Sequence, residues 1–167
     1  MIIIAAADNN NGIGNEGDLL FDIPEDKKFF KEKTYGNTVI MGRKTFESLP
    51  VKPLPGRRNI IFTQDSEFSE EGAETCRSVS ELRKIISNTP DDKVFVIGGE
   101  QIYKLLSDLG DTAYITRIYS SKPADKHIMD FEENENWYIK ERSELKEYQG
   151  IKFRFITFVK RQMTNLP

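Results

Sequence analysis

The sequence is poor in the residues that build disulfides and common metal sites. Cys76 is the only cysteine and His127 the only histidine among 167 residues. One cysteine excludes an internal disulfide, and a zinc site of the usual cysteine–histidine type needs more ligands than these two. No nucleophile turn lies near His127, which disfavours a Ser-His-Asp or Cys-His catalytic arrangement. We therefore predict no metal site, although counting alone leaves carboxylate-bound Mg²⁺ open.

The sequence also lacks an excess of basic residues and a long apolar run. Its 24 lysines and arginines against 27 acidic residues give a net charge of −3, which argues against bulk nucleic-acid binding. The apolar run Ile2–Ala7 has no basic stretch before it and ends at Asp8, too short for a signal-peptide core or a membrane span. We expect a soluble, cytoplasmic protein that binds neither nucleic acid nor membrane.

Length and composition predict one folded domain over residues 1–167. A chain with 38% hydrophobic and 31% charged residues has the balance of a globular protein. Apolar strand patterns at residues 2–7, 39–41, 59–63, 93–97 and 113–118 are separated by helical patterns that begin at Pro24 and at residues 45, 80 and 100. Strands that alternate with helices indicate βαβ units and a largely parallel sheet.

Three further segments have weaker patterns. Residues 138–146 and 152–160 resemble an antiparallel pair around Gln149-Gly150. Residues 9–22 are polar and glycine-bearing, and we expect a loop with few constraints of its own. Residues 65–74 are acidic without periodicity, which indicates a solvated loop.

Two segments have the order strand, glycine, helix. In VFVIGGEQIY (residues 94–103), Gly98 and Gly99 would let the backbone approach a ligand, and the next helix N-terminus favours an anion such as a diphosphate. A tight turn without a ligand explains this segment at least as well. The segment also lacks the G-x-G-x-x-G fingerprint of a standard Rossmann domain.

The other such segment is VIMGRKTFESLP (residues 39–50). It places Arg43 and Lys44 where charge and a helix N-terminus would hold a phosphate, but its spacing is not that of a Walker A loop. An exposed basic pair is the ordinary explanation of this pattern. Two strand–glycine–helix sites in one parallel sheet nevertheless suit a dinucleotide with several phosphates.

Two charged residues are candidates for contact with a substrate. Asp26 lies in the first helical turn after Pro24, where an acidic residue ordinarily complements the helix dipole. Phe29 and Phe30 follow three and four residues later, so Asp26 can share the inward face with at least one of them. Arg57 follows the proline-stiffened turn of PLPGRRNIIFT (residues 53–63) and would suit a carboxylate. In isolation, a helix-end acid and a surface arginine are the more ordinary interpretations.

Taken together, these segments resemble the dihydrofolate reductase family. The resemblance covers nearly the whole chain, in order, through several spaced motifs. They are the N-terminal strand with Gly12-Ile13-Gly14, IPEDKKFFKEKT (23–34), VIMGRKTFESLP, PLPGRRNIIFT, VFVIGGEQIY, YITRI (114–118) and FRFITF (153–158).

The resemblance implies a fold and a reaction. The fold would be α/β, an eight-stranded, mostly parallel mixed sheet flanked by helices and divided by a cleft. The reaction would be hydride transfer from NADPH to C6 of 7,8-dihydrofolate with a proton added at N5. The product, 5,6,7,8-tetrahydrofolate, would supply one-carbon metabolism and thymidylate synthesis. Antifolates would share the substrate site, no metal would be needed, and we expect a monomer.

The resemblance also implies residue roles. Asp26 would bind the pterin and support protonation of N5, Thr116 would orient that carboxylate, and Arg57 would pair with the α-carboxylate of the glutamate tail. Ile4, Ala5, Phe30, Leu49 and Leu54 would line the substrate slot. The residues expected at the cofactor are Ala6, Ile13, Gly42, Arg43, Lys44, Thr45, Arg77, Gly98, Gly99, Gln101, Ile102 and Tyr103. The Gly98-Gly99 bond is a candidate cis peptide, and residues 9–22 would close over the site.

The chain departs from the usual family pattern at five positions, which are Leu19, Phe21, Lys27, Gln64 and Gln101. These departures affect the closing loop, the benzoyl contact and the cofactor contacts, while the carboxylate and phosphate residues are present. Two other functions remain as alternatives. They are a reductase of the same fold that acts on a ribosylamino-pyrimidine in riboflavin synthesis, and a non-catalytic nucleotide-binding protein.

Overall fold

The computed structural model describes residues 1–162, which form a mixed sheet with helices on both faces. The strands are β1 (Ile2–Ala7), β2 (Gly12–Asn15), β3 (Asp18–Leu19), β4 (Thr38–Gly42), β5 (Arg58–Phe62), β6 (Ala73–Cys76), β7 (Val94–Gly98), β8 (Thr112–Ile118), β9 (Lys126–His127), β10 (Trp137–Arg142), β11 (Lys146–Tyr148) and β12 (Ile151–Lys160). The helices are α1 (Pro24–Thr34), α2 (Arg43–Ser48), α3 (Val79–Ile85) and α4 (Glu100–Leu106), with short 3-10 turns at Asp91–Lys93 and Ser107–Leu109.

The strand order confirms the predicted sheet. Eight strands of the described chain follow one another as β10-β12-β8-β1-β7-β4-β5-β6, and β11 adds a ninth against the first residues of β12. From β8 to β6 all neighbours are parallel, whereas β12 is antiparallel to β8. The first strand β1 therefore lies in the middle of the sheet, between β7 and β8, and its carboxyl end meets theirs.

Both faces of the sheet are covered because the central strands are apolar throughout. Ile2 and Ile4 of β1 pack with residues of α1 and α2, while Ile3 packs with residues of α3 and α4 on the opposite face. Strands buried on both faces give continuous apolar runs in place of alternation. In the described residues no helix is long and apolar enough to cross a membrane.

Local signals set the bounds of α1 as predicted. Pro24 occupies the first turn, where its missing N–H costs no hydrogen bond, and Gly36 follows the helix with φ of +79°. Lys27, Lys28 and Lys31 are exposed, and Phe29 stacks on Phe155 of β12 with ring centroids 4.3 Å apart. The helix thereby presents its aromatic face to the sheet.

The prediction of an unconstrained loop over residues 9–22 is wrong. Strands β2 and β3 form a hairpin there, and β2 pairs with β9 in a second, three-stranded sheet of the described chain. The Asp8 carboxylate also accepts the backbone N–H groups of Gly12 and Lys122, at 2.8 and 3.1 Å. Asp8 and Lys122 lie 114 residues apart in sequence, and β9 is similarly distant from β2, so no local pattern predicts these two contacts.

Two other strand assignments need correction. The loop predicted over residues 65–74 is too long, because β6 begins at Ala73. This strand lies at the edge of the sheet and pairs only with β5, and an edge strand needs no apolar periodicity that a sequence pattern could show. The single strand predicted over 138–146 is divided into β10 and β11, which pair with successive parts of β12. A register shift between Ile139 and Glu141 accompanies this division.

Candidate functional site

A carboxylate and a hydroxyl meet where α1 crosses β8. Asp26 lies in the first turn of α1 and is half-buried, and the buried Thr116 Oγ1 donates a hydrogen bond of 2.6 Å to its Oδ1. In the sheet, Thr116 stands beside Ala6 of β1. The two residues predicted to act together are 90 positions apart and are joined directly by the fold.

The environment of Asp26 disfavours its charged form. Burial raises the pKa of Asp26 above its usual value, and the hydrogen bond from Thr116 opposes this in part. Nearby, the hydroxyl of the buried Tyr103 donates to the Ile4 carbonyl at 2.8 Å. Burial, with a smaller contribution from the charge of Asp26, raises the pKa of Tyr103, which therefore stays neutral.

The apolar residues predicted for the substrate slot lie in one cluster. Ile4 is buried, while Phe30, Leu49 and Leu54 pack against the same cluster and keep part of their surface exposed. The alanines Ala5 and Ala6 at the carboxyl end of β1 are also partly exposed. The structure thus brings residues from β1, α1 and the end of α2 together beside an open apolar surface.

The predicted carboxylate-binding arginine is rigidly held and free of acidic partners. Arg57 donates from Nε to the Pro55 carbonyl at 2.9 Å and from Nη1 to Thr34 Oγ1 at 3.2 Å. Burial lowers the pKa of Arg57 somewhat, but a guanidinium remains charged. No carboxylate among residues 1–162 forms an ion pair with it. A fixed, half-buried cation of this kind suits an external carboxylate.

The two strand–glycine–helix junctions lie side by side, since β4 and β7 are neighbours and Met41 pairs with Gly98. A Cβ atom at Gly99 would approach Thr45 Oγ1 to 3.3 Å, and one at Gly42 would approach Ile102 Cγ1 to 3.1 Å. The Gly98-Gly99 peptide is cis, as the resemblance suggested. Side chains at these glycines would fill the space between the junctions, so the residues present fit a ligand that runs along both helix N-termini.

The basic residues at this edge are partly engaged within the chain. Arg43 forms ion pairs with Glu47 at 2.8 Å and Asp65 at 2.7 Å, whereas the sequence alone indicated an exposed basic pair. Lys44 and Arg77 are exposed. Cations on two different elements, α2 and the end of β6, are thus available to phosphate groups.

The remaining positions expected near the cofactor differ in their exposure. Ile102 and Tyr103 are buried in α4 and Gln101 is exposed on it, while Ile13 of β2 packs partly buried against the core.

Among the departures from the family pattern, Phe21 is buried, and the Lys122 Nζ lies 4.4 Å from the centroid of its ring. Leu19 is 70% exposed. Lys27 forms an exposed ion pair with Asp22 at 2.6 Å. Lys27 is therefore directed to a charged partner at the start of α1.

Sequence reasoning missed two residues of this region. Ile97 is the penultimate residue of β7, directly before Gly98, and packs, partly exposed, in the cluster of Leu49 and Leu54. Its position at a strand end before the glycine pair was a usable signal. Asp65 contacts Arg43 across 22 residues, and an acidic residue in a predicted solvated loop gave no signal.

Comparisons with known proteins agree with this geometry. A family model described as dihydrofolate reductase matches residues 1–160. The dihydrofolate reductase of Bacillus subtilis is 42% identical over 138 residues, which cover 80% of this chain and 77% of that protein. The dihydrofolate reductase of Neisseria gonorrhoeae is 37% identical over 158 residues, covering 94% and 96% respectively. That of Mycobacterium leprae is 41% identical over 118 residues, or 70% of each chain.

Proposed function

The chain belongs to the dihydrofolate reductase family, and on this premise we propose that it reduces 7,8-dihydrofolate to 5,6,7,8-tetrahydrofolate with NADPH. As a member of this family it is an oxidoreductase that uses a nicotinamide cofactor and a small-molecule substrate. The observation that supports the specific reaction best is the half-buried Asp26 carboxylate, held by Thr116 beside an apolar surface. The product would supply one-carbon metabolism and thymidylate synthesis.

Asp26 binds the pterin through its carboxylate. The amino and ring N–H groups of a pterin are paired donors, and a carboxylate presents two acceptor oxygens to them. The same charge stabilises the pterin protonated at N5, the form ready to accept a hydride at C6. Thr116 fixes the orientation of the carboxylate by donating to Oδ1, and a second lone pair on Oδ1 together with Oδ2 can accept the two pterin donors.

The remaining substrate groups are bound by apolar and cationic residues. The pterin and benzoyl rings are bound by Phe30, Leu49, Leu54 and Ile97. These four apolar side chains pack against one cluster and keep part of their surface exposed, so they can contact flat apolar rings. Arg57 pairs with the α-carboxylate of the glutamate tail. This residue favours folate over a ribosylamino-pyrimidine, whose phosphate takes the place of the tail.

The residues of the two strand–glycine–helix junctions would hold the cofactor. When bound, NADPH supplies the hydride from C4 of its nicotinamide. The absence of side chains at Gly42, Gly98 and Gly99 would let phosphate groups approach the backbone, and Thr45, whose Oγ1 lies 3.3 Å from a Cβ built at Gly99, would add a hydroxyl donor. Arg43, Lys44 and Arg77 would neutralise the phosphates of the cofactor, with Arg43 and Arg77 at its 2′-phosphate. Ala6 would contact the nicotinamide, and residues 9–22 would exclude water from it.

A direct assay tests the function and the cofactor preference. Protein is mixed with 7,8-dihydrofolate and either NADPH or NADH, and cofactor oxidation is followed by absorbance. We expect turnover that requires both substrates, with higher kcat/KM for NADPH because NADH has no 2′-phosphate for the cations. The phosphorylated ribosylamino-pyrimidine serves as the control substrate. Absence of dihydrofolate reduction would reject the function, and equal kcat/KM for both cofactors would reject the preference.

Loss of the Thr116 hydroxyl should change the titration of Asp26. We expect Thr116→Val, which keeps the side-chain volume, to lower kcat at neutral pH by roughly two- to tenfold, the worth of one hydrogen bond. Because that bond lowers the pKa of Asp26, the pH profile of kcat should move toward higher pH. Thr116→Ser should restore the parent profile. A profile unchanged in Thr116→Val would show that Thr116 is only a packing residue.

A further inference from the structure

The guanidinium of Arg43 is already bound by acidic residues of the chain. Its Nε donates to Glu47 Oε1 at 2.8 Å and its Nη1 to Asp65 Oδ2 at 2.7 Å, while Phe68 lies under it with the ring centroid 4.5 Å away. Arg43 and Asp65 are 41% and 44% exposed, so a ligand can reach both. The donor Nη1 is thus occupied by a carboxylate at an open surface.

Asp65 is held in this position by its own loop. Its Oδ1 accepts the backbone N–H of Glu67 at 2.9 Å, and its backbone N–H donates to Thr63 Oγ1 at 3.2 Å. The Glu67 bond and then the Arg43 bond hold the pKa of Asp65 below its usual value, and the charge of Arg77 adds to this. The carboxylate is therefore charged at neutral pH and lies within the field of two cations from separate elements.

We propose that Asp65 is a specificity-determining residue, an internal anion that occupies part of the 2′-phosphate subsite and thereby weakens the preference for NADPH over NADH. The proposal rests on the proposed function, in which Arg43 and Arg77 bind that phosphate. A phosphate dianion must displace Asp65 from Nη1 or accept its repulsion at short range. The neutral 2′-hydroxyl of NADH has no such conflict.

Glu47 does not account for the same effect. It binds Nε from one turn further along α2, an i,i+4 pair within a single helix. Asp65 instead comes from the loop after β5 and accepts a hydrogen bond from Nη1, a terminal nitrogen of the guanidinium. A purely positioning role for Asp65 predicts the opposite sign, because loss of the carboxylate would then free Arg43 to move and weaken phosphate binding.

Asp65→Asn separates these roles because an asparagine keeps the carbonyl oxygen that accepts the Glu67 N–H and removes only the charge. Equilibrium binding of NADPH and of NADH to the cofactor-free protein is measured by calorimetry. We expect NADPH to bind roughly three- to tenfold more tightly, the range for an exposed to partly screened charged contact. The affinity for NADH should change by less than about twofold.

Glu67→Gln is the matched control. It removes the same charge two residues away, from a side chain that forms no ion pair with any residue the structure describes. The ratio of NADPH to NADH affinity should stay at the parent value in this variant. An increase equal to that of Asp65→Asn would overturn the proposal in favour of a general charge effect.

Two other results also overturn it. Unchanged or weaker NADPH binding in Asp65→Asn, with a parent that binds and oxidises NADPH, rejects the role of Asp65 and leaves the proposed function intact. A parent that binds neither cofactor rejects the proposed function itself and the inference with it.

Discussion

We expect Asp26→Asn to slow hydride transfer at neutral pH by about a hundredfold or more, the usual range for loss of a group that supports proton transfer. Asparagine is nearly isosteric and still accepts the hydrogen bond from Thr116. It carries no charge, however, and cannot stabilise a pterin protonated at N5. Single-turnover mixing of the enzyme–NADPH complex with dihydrofolate measures this step apart from product release.

The pH dependence of the two proteins should differ in a defined direction. In the Asp26→Asn variant solvent must deliver substrate already protonated, so the rate should continue to rise as the pH falls. In the parent, burial raises the pKa of Asp26, so the titration should lie above the usual range of a carboxyl group. Parallel profiles for parent and variant would show that Asp26 does not control protonation.

The same substitution should stabilise the folded protein at neutral pH. A pKa raised by folding means that the charged carboxylate costs free energy in the folded state at pH values above that raised pKa. The cost disappears as the pH falls below the pKa of the unfolded chain, where both states are protonated. Urea unfolding should therefore show the variant more stable than the parent near neutral pH, with a difference that shrinks in acid.

Glu25→Gln is the control for the single-turnover measurement. Glu25 is the adjacent acidic residue of the same helical turn, but it is exposed and its side chain lies 3.5 Å from Lys146. Removal of its charge should leave the single-turnover rate close to that of the parent. If Asp26→Asn also kept near-parent rates, Asp26 would be only a helix-end acid and the proposed mechanism would be wrong.

Arg57→Leu should raise KM for dihydrofolate by roughly 30- to 150-fold, since two hydrogen bonds to an ionised group contribute about 2–3 kcal/mol in a half-exposed site. The effect on kcat should be small because the glutamate tail is remote from the reacting atoms. A pterin without the tail should keep its parent KM, because it has no carboxylate to lose. Steady-state kinetics with both substrates measures the contrast.

Structural damage is controlled at the neighbouring position. Thr34 Oγ1 donates to the Phe30 carbonyl at 2.8 Å, so its hydrogen bond persists when Arg57 is replaced. Arg58→Leu removes the next arginine, which binds Glu74 on the sheet edge, and should leave both KM values unchanged. Equal losses for both substrates in Arg57→Leu would make Arg57 a structural residue.

Much of the fold follows from short-range signals in the sequence. Continuous apolar runs predict the central parallel strands, because strands covered on both faces need no alternation. Pro24 and Gly36 bound α1, and the glycines after β4 and β7 place two helix N-termini at one edge of the sheet. These features depend on neighbouring residues alone, and for that reason the family resemblance is visible in one sequence.

The charges at the site were decided by the tertiary structure. Burial by the folded chain raises the pKa of Asp26, and Thr116, 90 residues away in sequence, donates a hydrogen bond that opposes part of this rise. The hairpin of β2 and β3 becomes part of a three-stranded sheet because β9, from far along the sequence, pairs with β2. Asp65 likewise reaches the Arg43 guanidinium across 22 residues only because the fold places the loop after β5 beside α2. Burial and electrostatic interactions depend on distance in space, and a sequence pattern records only distance along the chain.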